Sequence, residues 1–339
     1  MVLIMIFVAV SFILNRPKTT NVTSPVAFIK RSPTPTPTLP PLPSQKILPN
    51  DYHVFQTFNN CGPAALSMEL SYYGINISQQ ELGQDLRPYQ NPQGDNDDKS
   101  VTLDELAEKS KEYGFIPYHR PAGNAELVKK FIANDIPVVA RTLTKPTEDI
   151  GHYRVIKGYD VQGFIQDDSL QGRNLRFSYD DFNVLWKQFG NEYLVLVPPN
   201  KLRIAEAILD GDVNPRVAWQ RAASGATGLN LSVALYYLGD YQGSVEAFEN
   251  VENQLPFRTL WYQIEPIQAY VALGDEARVL SLTQQILDNY NRAFSELYII
   301  RGDIYKKRGD LEAARTEYEK AVHYNVNLQS ARDALNSIK

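Results

Sequence analysis

The pair Gly-Asp recurs at 239–240, 274–275 and 309–310, a spacing of 35 residues. Each pair follows one apolar, helix-favouring run and precedes another. Gly suits the left-handed end of a helix, and Asp suits the cap of the next. A period of this length constrains the fold strongly, because one helix pair cannot bury its apolar face alone and must stack on neighbours. The spacing predicts stacked helix pairs from about 225 to 328, with Gln329 to Lys339 as a polar capping helix and residues 201 to 224 as a degenerate first unit.

In the last unit, Tyr298, Gly302, Tyr305, Ala314, Tyr318 and Ala321 stand at positions that call for large, small and aromatic residues in turn. This part resembles the tetratricopeptide (TPR) repeat family, whose period is ~34 residues. The resemblance implies an all-α TPR solenoid over 199–339, with a groove that binds a protein partner or an extended peptide. The middle unit departs from the pattern, having Pro266 and Ile267 where Leu and Gly are usual.

At the other end, residues 1–15 are almost wholly apolar and are followed by Arg16 and Lys18. They read as an export or anchoring signal in contact with a membrane, although they fall short of the roughly 20 residues that span a bilayer. Residues 16–48 are rich in Pro, Thr and Ser, a composition that favours extended chain and buries no core. They read as a stalk. Together these segments predict a membrane-anchored or secreted protein facing outside the cytoplasm of a bacterium.

Between stalk and repeats, residues 49–198 begin with helical patterns and end with short β-branched or aromatic runs at 136–141, 152–159, 163–166 and 193–197. That order predicts an α+β domain, with helices first and an antiparallel sheet second. The formal net charge of -5, without a basic stretch interleaved with aromatics, argues against nucleic acid as a partner. One cysteine and four histidines make neither a disulfide nor a zinc site. No Walker-type run is present, and no cofactor is expected.

Within 49–198 the sequence Gln56-Thr57-Phe58-Asn59-Asn60-Cys61-Gly62-Pro63-Ala64-Ala65-Leu66 leads into an amphipathic stretch ending at Tyr72-Tyr73-Gly74. Pro63 suits the first turn of a helix and Gly74 its end, which puts Cys61 at a helix N-terminus. The free N–H groups and the dipole there favour thiolate, the attacking species. A nucleophile of this kind needs a proton carrier, and His152 stands on a predicted strand, Gly151-His152-Tyr153. A third group must hold the imidazole, and the next strand ends at Asp167-Asp168. Gln56 can donate its amide to a tetrahedral oxyanion alongside the N–H of Cys61.

These motifs resemble the peptidase C39-like domains, marked by Gln, a short gap, Cys-Gly-Pro-Ala-x-Leu and Tyr-Tyr-Gly. The resemblance implies a papain-like fold and hydrolysis of peptide bonds in a peptide or protein substrate, with Cys61 as nucleophile, His152 as base and Gln56 as oxyanion donor. Strand position puts Asp167 in the place of the aspartate, with Asp168 as the alternative in the doublet. Two other readings share the motif: a catalytically silent papain-like/TPR binding protein, and a transamidase that passes the same acyl-enzyme to an amine.

Overall fold

The computed structural model describes residues 37, 39–89, 99–289 and 291–338. The apolar segment at 1–15 and most of the Pro/Thr-rich run lie outside the described residues. Among the described residues no helix is long and apolar enough to cross a membrane.

The first part alternates helices and strands: β1 (Lys46–Ile47), α1 (Cys61–Ser71), α2 (Gln79–Leu86), α3 (Leu103–Lys111), β2 (Ile116–Arg120), α4 (Ala125–Ala133), β3 (Val138–Leu143), β4 (Gly151–Tyr159), β5 (Phe164–Asp168), β6 (Gly172–Phe177), α5 (Tyr179–Trp186) and β7 (Tyr193–Val197). The strands form an antiparallel sheet in the order β2-β7-β3-β4-β5-β6, with β1 added on β4. The central strands are apolar on both faces because helices cover both. Val139, Val155, Leu194 and Leu196 pack with Leu66, Leu70, Leu82 and Leu106 from α1–α3. Val138, Ala140, Ile156, Val195 and Val197 pack with Phe131, Ile132, Phe182 and Trp186 from α4 and α5.

Two boundaries differ from the sequence expectation. Lys46–Ile47 pairs with β4, Leu48 is buried, and Pro43 accepts a hydrogen bond from Tyr159, so the end of the expected stalk is packed on the sheet. Composition hid this, since a two-residue strand leaves no periodic signal. The helix α6 (Leu202–Leu209) buries Ala205, Ile208 and Leu209 in the α4–α5 layer, and so closes the first core instead of opening the array.

The second part is all helical: α7 (Pro215–Gly225), α8 (Gly228–Leu238), α9 (Tyr241–Glu249), the single turn α10 (Thr259–Tyr262), α11 (Glu265–Leu273), α12 (Glu276–Asp288), α13 (Ser295–Lys307), α14 (Leu311–Tyr324) and α15 (Gln329–Asn336). The Gly-Asp pairs act as their chemistry requires. Gly239, Gly274 and Gly309 lie at φ 82°, 79° and 81°, and Asp240, Asp275 and Asp310 cap α9, α12 and α14 by accepting main-chain N–H bonds. Gly302 lies against the face of Tyr318, which supports the small and aromatic positions of the repeat pattern.

Candidate active site

Cys61 is the first residue of α1, and Pro63 lies in the same turn. Asn59, at φ 56°, bends the incoming loop toward the helix. Every residue from Cys61 to Leu70 is buried. The cysteine end of α1 lies against β4, since a Cβ on Gly62 would come within 3.5 Å of the ring of Tyr153, whose face of the sheet is opposite to that of His152. Arg87, which follows α2, is also buried here and donates to the carbonyl of Phe58 and to Asn60 Oδ1, each at 3.0 Å. Its long stem and its position after a helix gave no sequence signal for this role.

The structure corrects the third member of the expected triad. Asp168 Oδ1 lies 2.9 Å from His152 Nε2. In the β4–β5 register Arg154 stands opposite Asp168 and Val155 opposite Asp167. Successive side chains alternate faces, so His152, Arg154 and Asp168 share one face and Asp167 takes the other. There Asp167 pairs with Lys157 Nζ at 2.7 Å and accepts the N–H of Asn174 at 2.8 Å. The one-residue error arose because sequence alone does not set a strand register.

Asp168 is held from several sides. Oδ1 also accepts from the N–H groups of Leu170 and Gln171 at 2.7 and 3.0 Å, and Arg154 Nε lies 3.0 Å from Oδ2. Burial works against its ionisation, but His152, Arg154 and the Leu170 N–H outweigh it and hold the carboxyl at about 2. Burial, assisted by the charge of Arg154, pulls His152 below its ordinary value despite Asp168. The resting pair is therefore carboxylate and neutral imidazole at neutral pH. With Nε2 committed to Asp168, Nδ1 is the nitrogen left for proton exchange.

Gln56 is oriented by Ser169, the residue after Asp168. Gln56 Oε1 accepts from Ser169 Oγ at 2.8 Å, and the main-chain N–H of Gln56 donates to the Ser169 carbonyl at 2.8 Å. This leaves the Gln56 side-chain N–H groups as donors. Gln56 lines a cavity of about 320 Å³ together with Phe58, Ile150, Leu170, Trp261 and Tyr262. Ser169 was not singled out in the sequence, since only the strand pairing brings it beside Gln56.

The thiol itself departs from the helix-dipole expectation. Burial pushes Cys61 up to about 11, outweighing Arg87, the Gly62 N–H and Arg141, which act in the opposite direction. Among the described residues no hydrogen bond joins the Cys61 thiol to His152. The thiol is thus protonated at rest, and it packs with Tyr153 and Val155, the β4 side chains that alternate with His152 and Arg154.

Residues 41–194 match the Peptidase_C39 like family, and residues 295–325 match a tetratricopeptide repeat. No curated protein matches the chain. A C39-like peptidase structure from Bacillus anthracis is 18% identical, with a TM-score of 0.39, over 45% of this chain and 97% of that one. The peptidase domain of Streptococcus ComA, a bifunctional ABC transporter of a quorum-sensing pathway, is 21% identical, with a TM-score of 0.34, over 45% of this chain and 98% of that one. A double glycine motif protease from an AMS/PCAT transporter, in complex with the leader peptide, is 17% identical, with a TM-score of 0.34, over 43% and 91%.

Proposed function

We propose that the chain is a cysteine peptidase that hydrolyses peptide bonds through Cys61, His152 and Asp168, with Gln56 as oxyanion donor, and that its TPR part binds a protein partner or the substrate. The observation that supports this reading is the 2.9 Å bond between His152 Nε2 and Asp168, which fixes the imidazole by one nitrogen and leaves Nδ1 outside that bond.

In the proposed reaction, Nδ1 of His152 takes the Cys61 proton as sulfur attacks the scissile carbonyl. The Gln56 amide and the Cys61 N–H receive the oxyanion. The imidazolium, balanced by Asp168, protonates the departing amine, and the C–N bond breaks to leave an acyl-thioester. Water then gives a proton to His152 and attacks that thioester, which releases a free acid and restores the thiol.

The test is a peptide pool incubated with wild type, Cys61→Ser and His152→Ala, with products read by mass spectrometry. New free-acid termini that depend on both residues support the reading. Cleavage that persists in Cys61→Ser sinks it, and amide products formed with an added amine would assign the transamidase.

A further inference from the structure

The departure of the middle repeat from its pattern has a physical consequence. α13 is 13 residues long, whereas its counterpart α11 has only 9. One 35-residue period before Ser295 falls at Leu260, inside α10, so α10 is the first turn of the repeat helix split from the remainder. The chain breaks at Gln263, which is extended at φ -134° and ψ 98°. Pro266, in the first turn of α11, is the cause. Proline has no N–H, so in a continuous helix it would leave the carbonyl of Tyr262, four residues earlier, without its bond. That carbonyl instead accepts a hydrogen bond from Arg141 on β3 of the other domain.

The detached turn lies against the start of β4 and lines the same cavity as Gln56. The Tyr262 ring stands 3.1 Å from where a Cβ on Gly151, the residue before His152 in β4, would be, and packs edge-on against Phe189. The Gly151 N–H and Cys61 are both among the groups that act on the Tyr262 hydroxyl. Trp261 and Tyr262 wall the cavity that also holds Gln56. Cys61 is 5% exposed and His152 1%. A scissile carbonyl has to reach sulfur and the Gln56 amide together, and the space it would enter is bounded by this turn.

We propose that the segment Arg258–Gln263 is an autoinhibitory strap, which holds the peptidase latent until it is displaced from the cleft. The proposal rests on the peptidase reading for its meaning, but the strap can be tested apart from it. The strap is held by the partly exposed pair of Arg258 with Asp149 at 2.6 Å, by the Arg141 bond to the Tyr262 carbonyl and by the Tyr262 ring against Phe189. The repeat part is anchored elsewhere, by Lys99 with Glu296 and by Asn327 on the carbonyls of Gln84 and Asp85. The strap can therefore lift while the two parts stay docked.

Cys61 is the sole cysteine of the chain, so alkylation read by intact mass reports on it alone. Labelling rates at pH 7.4 with iodoacetamide and with a bulky biotin-maleimide would be compared for wild type, Tyr262→Ala, Arg258→Ala and Pro266→Ala, each also carrying His152→Ala. Circular dichroism checks folding, and Arg258→Ala and Pro266→Ala keep the test alive if Tyr262→Ala unfolds. The strap predicts labelling at least tenfold faster in the folded variants, with the larger gain for the bulky reagent. Rates equal to wild type overturn it. Faster labelling that ignores His152→Ala supports the strap and removes the peptidase reading, whereas unchanged rates that still fall with His152→Ala remove only the strap.

Discussion

Asp168 Oδ1 lies 2.9 Å from His152 Nε2, and Asp167, one residue away, pairs with Lys157 on the other face of the sheet. The two aspartates therefore have separable jobs. Asp168→Asn is expected to lower the His152-dependent rate by ~10²–10⁴-fold, the range typical of positioned proton transfer, and also to cost stability because it leaves buried Arg154 without its counter-charge. Asp167→Asn leaves Lys157 buried without its counter-charge, which costs about 3–5 kcal/mol of stability. Denaturant unfolding and peptide turnover, measured on both variants, separate the two roles. Equal loss of rate with no loss of stability in Asp167→Asn would reverse the assignment.

In the proposed reaction the Gln56 amide acts only when its donor faces the oxyanion. Gln56→Ala is expected to lower kcat by ~10²–10³-fold with KM nearly unchanged, since the bond forms in the transition state. Ser169→Ala frees the Gln56 side chain without removing it, and its effect on kcat should have the same sign and a smaller size. A steady-state comparison of the two variants checks this, and an effect on KM alone would count against the role.

The same contrast shows what the sequence made legible. Cys61, Gln56 and His152 each carried a local signature: a turn proline, a fixed offset, a strand. The α+β order and the Gly-Asp period were equally local, and the caps of α9, α12 and α14 follow from them directly. The choice of Asp168 over Asp167, and the contacts of Ser169 and Arg87, were not legible because they depend on strand register or on where a loop crosses, which are tertiary facts. The raised Cys61 thiol belongs to this group as well, because the helix dipole is a property of α1 and the burial that overrides it comes from the surroundings. Pro266 was visible as an anomaly, and its meaning needed the carbonyl of Tyr262 and the side chain of Arg141.

His119 gives the fold a pH dependence of defined sign. Burial opposes its protonation, but Asp104 Oδ1 at 2.7 Å and Glu192 Oε2 at 3.4 Å outweigh it and push the group up to about 9. A raised histidine adds stability that is complete below the ordinary value of 6.5 and fades as pH rises through 9. Thermal melts of His119→Asn should therefore fall below wild type by a constant margin up to about pH 6.5 and converge with it near pH 9. A margin that grows with pH would contradict the ion-pair account.

In the repeat part, Gly302→Ala places a methyl group into the ring of Tyr318. Overpacking of this sort costs about 1–3 kcal/mol. The variant should melt earlier by calorimetry, and Gly302→Ala combined with Tyr318→Leu should recover part of the loss. No recovery would show that the glycine serves something other than this contact.

The most direct test of the central claim is to trap the acyl-enzyme. Wild type and Tyr262→Ala would be mixed with a pool of amino-acid p-nitrophenyl esters, quenched in acid at intervals, and read by intact mass. The account predicts a single acyl adduct on Cys61 that decays to free enzyme and free acid. It predicts faster formation in Tyr262→Ala, and no adduct once His152→Ala or Cys61→Ser is added. An adduct on another residue, or one on Cys61 that forms at the same rate without His152, would contradict it.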